Sequence, residues 1–314
     1  MVMESACAVK QAIMAAVEMM VLNMARSLKQ GENGKRADWD LNSKMRRPPF
    51  ITLNQLFLRR VSAMISVSSA RCHALIPCAG SGSRAGAAQP KQYQPIGGAP
   101  LVWHTLAAFA GVPRIAQTLV VTAPGDDALA ARLLDRLPHD AFALADCGGA
   151  SRAESVFNGL ERLLQRGAAG SDWVLVHDAA RCLITPALIN RLIDACLNAA
   201  SADEEGGLSG ALLAMPLPDT LKAADAAGRA AATLPREGKW LAQTPQMFRI
   251  APLRAALAAR AASGFAGITD EASAMEAAGS RPLLVRGSAH NIKVTWPEDF
   301  ALAAALLQTR HEPA

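Results

Sequence analysis

Two short stretches decide the fold: Leu75–Arg84 (LIPCAGSGSR) and Pro90–Tyr93 (PKQY). A short apolar run, typical of a buried strand, ends in a loop of small residues, and two cations follow at Arg84 and Lys91. Backbone N–H groups of a loop without bulky side chains can approach an anion closely, and fixed cations beside the loop can neutralise a polyphosphate. The stretch therefore predicts a nucleoside triphosphate site at the end of a strand.

On both sides of this loop, strand-like and helix-like segments alternate from about residue 72 to the C-terminus. The predicted strands are His73–Cys78, Thr118–Thr122, Ala141–Ala145, Trp173–His177, Gly210–Met215, Pro282–Arg286 and Asn291–Thr295. The predicted helices are Pro100–Ala110, Asp127–Leu137, 151–166, 185–199, Ile250–Ala262, 269–278 and a last one from about Pro297. Three of them begin at capping signals: the capping box Ser151–Glu154 (SRAE), Thr185 followed by Pro186, and Thr269/Asp270. This order predicts an α/β fold with a Rossmann-like, mostly parallel sheet and helices on both faces.

The alternation is interrupted at residues 216–240, where two short strands are predicted around a polar turn at Asp225–Gly228. Such an excursion often serves as a dimerisation arm or a lid, and the alternative is a simple surface hairpin. No internal repeat or long linker divides the chain further. We therefore expect one domain over residues 71–314, with the excursion as a β-arm.

The first 70 residues differ from the rest in charge. They carry ten Lys/Arg and five Asp/Glu, so they hold the entire net charge of +5, and the remaining chain is neutral with a single Tyr. A neutral body poor in aromatic residues excludes a nucleic-acid partner. We expect residues 1–70 to be an extension that is disordered or partly helical over Ala8–Lys29, with a partner-binding or membrane-surface helix as the alternative. A start of the working chain near Met64 is also open.

The cysteines and the apolar runs indicate in which cellular compartment the protein is expected. None of the six cysteines forms a CxxC pair, no histidine spacing predicts zinc, and no run of 18 apolar residues predicts a membrane span. These features predict reduced thiols in a cytoplasmic protein.

Two other phosphate-binding motifs fit the loop poorly. Gly80-x-Gly82-x-x-Ala85 matches the dinucleotide fingerprint, but the acidic residue expected about 20 positions on is replaced by Thr105. A Walker-type loop would need Gly-Lys-Ser/Thr, which is absent. Two strong cations beside the loop favour instead a reaction that releases pyrophosphate.

These stretches resemble the nucleotidyltransferase fold of the sugar-phosphate pyrophosphorylase type, and the form with PKQY resembles the 2-C-methyl-D-erythritol 4-phosphate cytidylyltransferases. Further motifs agree in order over about residues 72–310: Val176–Arg181 (VHDAAR), Asp219–Lys222 (DTLK), Ala242–Gln246 (AQTPQ), Ile268–Ser273 (ITDEAS) and Asn291–Thr295 (NIKVT). The resemblance implies transfer of a cytidylyl group from CTP to a polyol phosphate, with release of pyrophosphate, in the non-mevalonate route to isoprenoids.

The resemblance also implies roles for individual residues. The catalytic cations on the triphosphate are Arg84, Lys91 and Lys293. The CTP-binding residues, which include the base and ribose segment, are Ala79, Gly80, Gly82, Gly148, Gly149 and Ser155. The acceptor-binding residues are Asp178, Arg181, Thr220, Arg236, Thr244 and Thr269. Asp178 would also lie near Mg²⁺, the expected cofactor. Arg236 lies on the arm, which in this family crosses to the other subunit, so a homodimer with shared sites is implied.

Several of these residues also have a structural interpretation: Ser155 could satisfy a carbonyl within its helix, and the threonines could cap helices. Ala150 stands where the family often has Asp, so cytosine recognition could shift to the backbone or to Ser151. Cys182 stands where the family usually has Pro, and we expect it to change the rigidity of its loop more than the chemistry and to be a small filler. The alternative functions are a ribitol 5-phosphate cytidylyltransferase, another sugar-phosphate nucleotidyltransferase, and a nucleotide-binding regulatory protein.

Overall fold

A seven-stranded mixed sheet forms the centre of the computed structural model, which describes residues 70–80, 90–126, 141–202 and 209–310. The seven strands of this sheet are β1 (Cys72–Pro77), β4 (Ile115–Val121), β5 (Ala143–Ala145), β6 (Trp173–Val176), β7 (Gly210–Pro216), β10 (Trp240–Arg249) and β11 (Leu283–Arg286). Two small sheets are added by β2 (Pro95–Ile96) with β3 (Ala99–Pro100), and by β8 (Leu221–Ala224) with β9 (Ala230–Leu234). The helices are α1 (Leu101–Ala110), α2 (Arg152–Gln165), α3 (Pro186–Ala202), α4 (Ile250–Ala261), α5 (Glu271–Ala277) and α6 (Pro297–Gln308).

The strand order in the main sheet is β11-β7-β10-β6-β1-β4-β5. All neighbouring pairs are parallel except those of β10, which runs antiparallel to both β6 and β7. The predicted mostly parallel sheet is confirmed, but β10 was not predicted as a strand. Its Pro245 argues against a central strand, because proline cannot donate to a ladder. The structure places Pro245 where the register between β10 and β7 shifts, so the ladder is already interrupted there.

Helices cover both faces of the sheet, as predicted. Successive residues of the parallel strands point to opposite faces: Ile76 of β1 packs in the cluster with α1 and α3, and Leu75 packs in the cluster with α2, α4 and α5. Both side chains are fully buried. A strand buried on both faces explains the continuous apolar run that precedes the loop.

The predicted caps at Ser151 and Thr185 are confirmed, with one change of detail at Ser151. Ser151 accepts from the N–H of Glu154, but the Glu154 carboxylate accepts from the N–H of Ala150 and not from that of Ser151. Thr185 accepts from the N–H of Leu188 at the start of α3. These caps satisfy N–H groups that a helix start leaves without partners.

The predicted strand Asn291–Thr295 is wrong, because this segment is an extended loop that joins no sheet. Its backbone is bonded elsewhere: the N–H of Val294 donates to the carbonyl of Ala180 at 2.9 Å. Cys182 and Val294 lie in a third apolar cluster with α6, where Cys182 is fully buried and burial raises the pKa of its thiol to about 11. This environment supports the expectation that Cys182 fills space.

The β-arm is present as the hairpin of β8 and β9, with its turn at Asp225–Gly228 as predicted. All described residues belong to a compact unit that spans Gln55–Ala314, and a first unit, Met1–Asn54, lies outside the described residues. The predicted extension over residues 1–70, except Ala70, and the predicted helix Asp127–Leu137 also lie outside them. Within the described part of the chain, no helix has the length and apolar character needed to cross a membrane.

Candidate active site

A cavity of about 520 Å³ opens at the carboxyl edge of the sheet, beyond the ends of β1 and β6. Open α/β sheets bind ligands at this edge, because the loops that follow parallel strands meet there. The cavity is lined by Pro77, Cys78, Ala79, Gly80, Lys91, Gln92, Gly149, Ala150, Ser151, Arg152, Ser155, Asp178, Ala179, Ala180 and Lys293.

The loop after β1 forms one wall of the cavity and is held by Gln92. The buried Gln92 amide donates to the carbonyls of Cys78 and Gly80, at 2.9 and 2.8 Å. The thiol of Cys78 is also buried, which raises its pKa far above the ordinary value, so it is an inert filler. In the sequence Gln92 stands only within the PKQY motif, and no local pattern predicts that it holds this loop.

A second wall is formed by the loop at 148–150, whose N–H groups are all used inside the protein. Gly148 donates to the carbonyl of Thr122, Gly149 donates to Ser155 Oγ, and Ala150 donates to the Glu154 carboxylate. A Cβ at Gly148 would lie 2.7 Å from the Thr122 oxygen, so only glycine allows this approach.

Ser155 and Ser151 are both committed to the structure of this wall. The Ser155 hydroxyl donates to the carbonyl of Ser151 while accepting from Gly149, as the structural interpretation proposed. The Ser151 hydroxyl accepts from Glu154 at the start of α2. Recognition through the N–H of Ala150 would therefore compete with a bond already made, whereas the bond from Glu154 uses only an acceptor site of the Ser151 hydroxyl.

The Asp178 carboxylate, directly after β6, is the centre of the charged part of the cavity. Its oxygens lie 2.8 Å from Arg152 Nε, 2.9 Å from Lys293 Nζ and 3.6 Å from Arg181 Nε. Burial opposes its ionisation, but the charges of Arg152 and Lys293 outweigh this effect and hold the pKa of Asp178 well below its usual range. A carboxylate that holds its proton so weakly is suited to orienting cations and is a poor base.

Arg152 and Glu271 were not predicted as site residues. Arg152 lies at the start of α2 and donates both to Asp178 and, through two nitrogens, to the two oxygens of Glu271, at 2.7 and 3.1 Å. Burial opposes the charge of Arg152, but the two carboxylates outweigh it and raise the pKa of Arg152. Burial raises the pKa of Glu271, and Arg152 limits that rise. The signal in the sequence was a charged residue inside each of two quoted stretches, SRAE and ITDEAS.

His177 and Thr244 support the backbone beneath Asp178. His177 Nε2 faces the carbonyl of Arg181 at 3.2 Å, so this nitrogen carries the proton and Nδ1 accepts from the Thr244 hydroxyl at 3.0 Å. The Thr244 hydroxyl in turn accepts from the N–H of Asp178 at 3.0 Å. Burial lowers the pKa of His177 to about 3, so the ring is neutral.

The loop at 291–295 brings two of the predicted cations to the cavity. Lys293 projects from it toward Asp178, and Lys91 Nζ donates to the carbonyl of Val294 at 2.7 Å. Arg181 donates to the carbonyl of Asn291 in the same loop, at 2.7 Å. Lys91 and Lys293 are thus brought to one segment, although they are far apart in the sequence.

The predicted site residues fall into three groups. The cavity brings together Ala79, Gly80, Lys91, Gly149, Ser155, Asp178 and Lys293, with Gly148, Arg181 and Thr244 in contact with its walls. Thr220 and Arg236 on the exposed arm and Thr269 before α5 are not among its lining residues. Gly82 and Arg84 lie outside the described residues. The individual roles stay predictions.

The roles of Arg236 and Thr269 within the described residues are local. The Arg236 guanidinium donates to the carbonyl of Pro218 on the arm. The N–H of Thr269 donates to the Ser273 hydroxyl, and the carboxylate of the adjacent Asp270 caps α5.

Comparison with known proteins assigns the chain to a family. The family model "2-C-methyl-D-erythritol 4-phosphate cytidylyltransferase" matches residues 72–309. A protein of that name from Cupriavidus pinatubonensis is 52% identical over 242 residues, which cover 77% of this chain and 96% of the relative. A bifunctional enzyme IspD/IspF from Albidiferax ferrireducens is 59% identical over 246 residues, and the match covers 78% of this chain but only 55% of that relative.

A solved structure supports the same assignment. The crystal structure of a 4-diphosphocytidyl-2C-methyl-D-erythritol synthase is 39% identical and aligns with a TM-score of 0.64, covering 76% of this chain and 99% of its own. The Francisella tularensis 2-C-methyl-D-erythritol 4-phosphate cytidylyltransferase aligns with a TM-score of 0.61 at 30% identity, over 74% of this chain and 98% of its own. The sheet, the cavity and these matches agree: the chain belongs to the 2-C-methyl-D-erythritol 4-phosphate cytidylyltransferase family.

Proposed function

We propose that this chain transfers the cytidylyl group of CTP to 2-C-methyl-D-erythritol 4-phosphate and releases pyrophosphate. The products are 4-diphosphocytidyl-2-C-methyl-D-erythritol and pyrophosphate, in the non-mevalonate route to isoprenoid precursors. The observation that carries the proposal is the pairing of a small-residue loop at Ala79–Gly80 with Lys91 and Lys293 in one cavity. Family membership supplies the identity of the donor and the acceptor.

The reaction needs no base from the protein. A phosphate oxygen of the acceptor forms a bond to the α-phosphorus of CTP, and the bond from that phosphorus to the bridging oxygen of pyrophosphate breaks. A phosphate monoester is largely a dianion at neutral pH, so its oxygen attacks without losing a proton. Asp178, whose oxygens face cations, and His177, whose two ring nitrogens are both bonded, fit this chemistry because neither is available as a base.

Lys91 and Lys293 supply the charge that the transition state needs. Negative charge grows on the α-phosphoryl oxygens and on the leaving pyrophosphate, and fixed cations stabilise it without reorganisation. Lys293 is half-exposed and Lys91 lies at the same loop, so both are within the cavity that would receive the triphosphate. Arg84 stays a predicted third cation on the same group.

The loop at 148–150 favours cytosine over uracil as the base. Because its N–H groups are already donated within the protein, the loop offers carbonyl oxygens to a ligand. Carbonyl oxygens accept from the 4-amino group of cytosine, whereas uracil presents an oxygen at that position. We propose this as the basis of cytosine selectivity in a chain that has Ala150 where the family often has Asp.

Mg²⁺ is proposed as part of the substrate, arriving with the triphosphate. Among the described residues no cluster of three or more His, Cys, Asp or Glu side chains could hold a metal alone, and Asp178 has the one carboxylate among the described residues lining the cavity. A Mg²⁺ that keeps phosphate and water ligands needs only one or two protein carboxylates, so this donor set fits. The ion would neutralise the triphosphate next to Asp178.

A homodimer with the arm shared between subunits is also proposed. The arm is exposed along β9, and it carries Leu234, followed by Trp240 and Leu241, all more than a third exposed. Exposed apolar side chains on a two-stranded hairpin and at its base favour burial against another chain. Arg236 and Thr220 would then reach the acceptor in the partner's cavity.

The five thiols seen free among the described residues support a reducing compartment, so we infer a cytoplasmic location.

Pyrophosphate release, measured across donors and acceptors, tests the function. We expect turnover with CTP and 2-C-methyl-D-erythritol 4-phosphate in the presence of Mg²⁺, and much less with UTP or ATP. If ribitol 5-phosphate supported turnover and 2-C-methyl-D-erythritol 4-phosphate did not, the proposed identity of the acceptor would be wrong. Binding of CTP without turnover on any acceptor would favour a regulatory protein.

A further inference from the structure

A line of alternating charges runs from the start of α5 into the cavity. Glu271 holds Arg152 through two hydrogen bonds, Arg152 Nε lies 2.8 Å from Asp178, and Asp178 lies 2.9 Å from Lys293 Nζ. The two ends of the line differ in exposure: the Glu271 side chain is 2% exposed, whereas that of Lys293 is 39% exposed. Its buried end therefore lies in the protein and its open end faces the substrate.

Glu271 does not line the cavity, so its effect on the reaction must pass through Arg152. The bidentate pair uses the two terminal nitrogens of the guanidinium, at 2.7 and 3.1 Å, and leaves Nε for Asp178. This geometry fixes the plane of Arg152, which a single contact would not do. A buried carboxylate is costly unless it is paired in this way.

We propose that Glu271 is a positioning residue that keeps Arg152 on Asp178 and away from the triphosphate. The inference rests on the proposed function. With Glu271 charged, Arg152 is neutralised and oriented, Asp178 keeps its place, and Lys293 is held where it can meet the α-phosphate. Without that charge, Arg152 gains freedom to turn toward the phosphates and holds CTP and pyrophosphate in unproductive positions.

The same line links the start of α5, outside the cavity, to the loop at 148–150 that lines it. Glu271 is the first residue of α5 and lies two positions after Thr269, a predicted acceptor-binding residue. Arg152 begins α2, directly after the loop at 148–150 that we assign to the base. A shift of α5 is therefore passed to the nucleotide side through one ion pair.

Glu271→Gln is the decisive variant, because it keeps the size and one acceptor oxygen while removing the charge. We expect kcat to fall by at least ~10-fold, the scale of a small misplacement of reacting groups. The KM for CTP should stay the same or fall, and pyrophosphate should inhibit at least ~3-fold more tightly because one negative charge near the site is lost. Loss of a purely structural clamp would instead raise KM and lower thermal stability together.

Glu161→Gln is the matched control, since Glu161 pairs with Arg254 on the surface and is remote from the cavity. It should leave kcat, KM and pyrophosphate inhibition unchanged. A Glu271→Gln enzyme with kcat within twofold of the wild type would overturn the proposal, as would a raised KM for CTP at unchanged kcat. If the wild type itself releases no pyrophosphate from CTP with the methylerythritol phosphate, the proposed function fails, which is a different outcome.

A double variant keeps the test decisive if Glu271→Gln alone does not fold. Glu271→Gln with Arg152→Gln removes both charges of the buried pair, which proteins often tolerate better than the loss of one. Asp178, the partner of Lys293, then loses its contact with Arg152, so kcat should again fall by at least ~10-fold. Turnover of the double variant at the wild-type rate would show that the pair does not position the cavity.

Discussion

The cavity and the β-arm differ in whether their side chains find partners within the same chain. Around the cavity, nearly every charged or polar side chain has a partner within the same chain: Asp178 has three cations, and Thr244 links His177 to the backbone of Asp178. The arm has few such contacts, and all five residues of β9 are exposed. This difference is the basis of the proposal that one chain builds the nucleotide side by itself, whereas the arm serves a second chain.

The largest expected effect comes from removing the cavity's cations. Lys91→Ala and Lys293→Ala should each reduce turnover at least ~100-fold, the scale of losing one donor that stabilises transition-state charge. Both should stay folded, because Asp178 keeps Arg152 and Arg181 and the rest of the network is unchanged. Single-turnover pyrophosphate release measures the effect.

Arg254→Ala, on the surface pair with Glu161, is the control and should retain normal turnover. Near-normal turnover in both lysine variants would contradict the mechanism. It would also remove the contrast between cavity and arm, because the cavity would then have no chemical role.

The next effect tests whether the arm serves another chain. Arg236→Ala should lower kcat/KM for the acceptor by about 10- to 100-fold, the worth of one hydrogen bond to a charged group. An equal mixture with Lys293→Ala should regain activity in about a quarter of all sites, since half of the random dimers are mixed and one of their two sites is intact. Assays after subunit exchange, with light scattering to follow the dimer, measure this.

Arg229→Ala is the matched control, because Arg229 lies on the same hairpin at the turn. It should keep full activity and need no complementation. Dimers that exchange subunits but regain nothing would show that each arm serves its own chain.

How well the sequence predicts each region depends on whether the interactions that form it are local or join residues far apart in the chain. β1 and its loop were predictable because a continuous apolar run ending in small residues is a local signal. β10 was missed because Pro245 and its polar neighbours hide a strand that is antiparallel to both its partners. Asn291–Thr295 has a β-like pattern, yet its N–H and carbonyl groups bond to Ala180, Lys91 and Arg181, which only the folded chain brings near.

The site shows the same limit. Single residues such as Lys91, Asp178 and Lys293 were found through motifs, but the motifs do not say which charges touch. Arg152 and Glu271 are 119 positions apart, and neither has a local pattern that predicts a bidentate pair. A buried ion pair is a property of packing, so it appears only once α2 and α5 are placed against each other.

The smallest expected effect concerns the support beneath the cavity and appears as a dependence of stability on pH. Burial lowers the pKa of His177 to about 3, below its ordinary value of 6.5. Between these values the unfolded chain binds a proton that the folded chain does not, so the free energy of unfolding falls as the pH falls, by about 1.4 kcal/mol per pH unit from this residue. Above pH 6.5 the contribution is constant.

His177→Gln should remove this part of the slope, and urea unfolding at pH 7, 6 and 5 measures it. His290→Gln, at an exposed position, is the control and should leave the slope unchanged. An unchanged slope in His177→Gln would mean that the ring takes a proton in the folded state. In that case Nδ1 of His177 could not accept from the Thr244 hydroxyl. The hydrogen bonds beneath Asp178 would then differ from those described above, on which the comparison between cavity and arm depends.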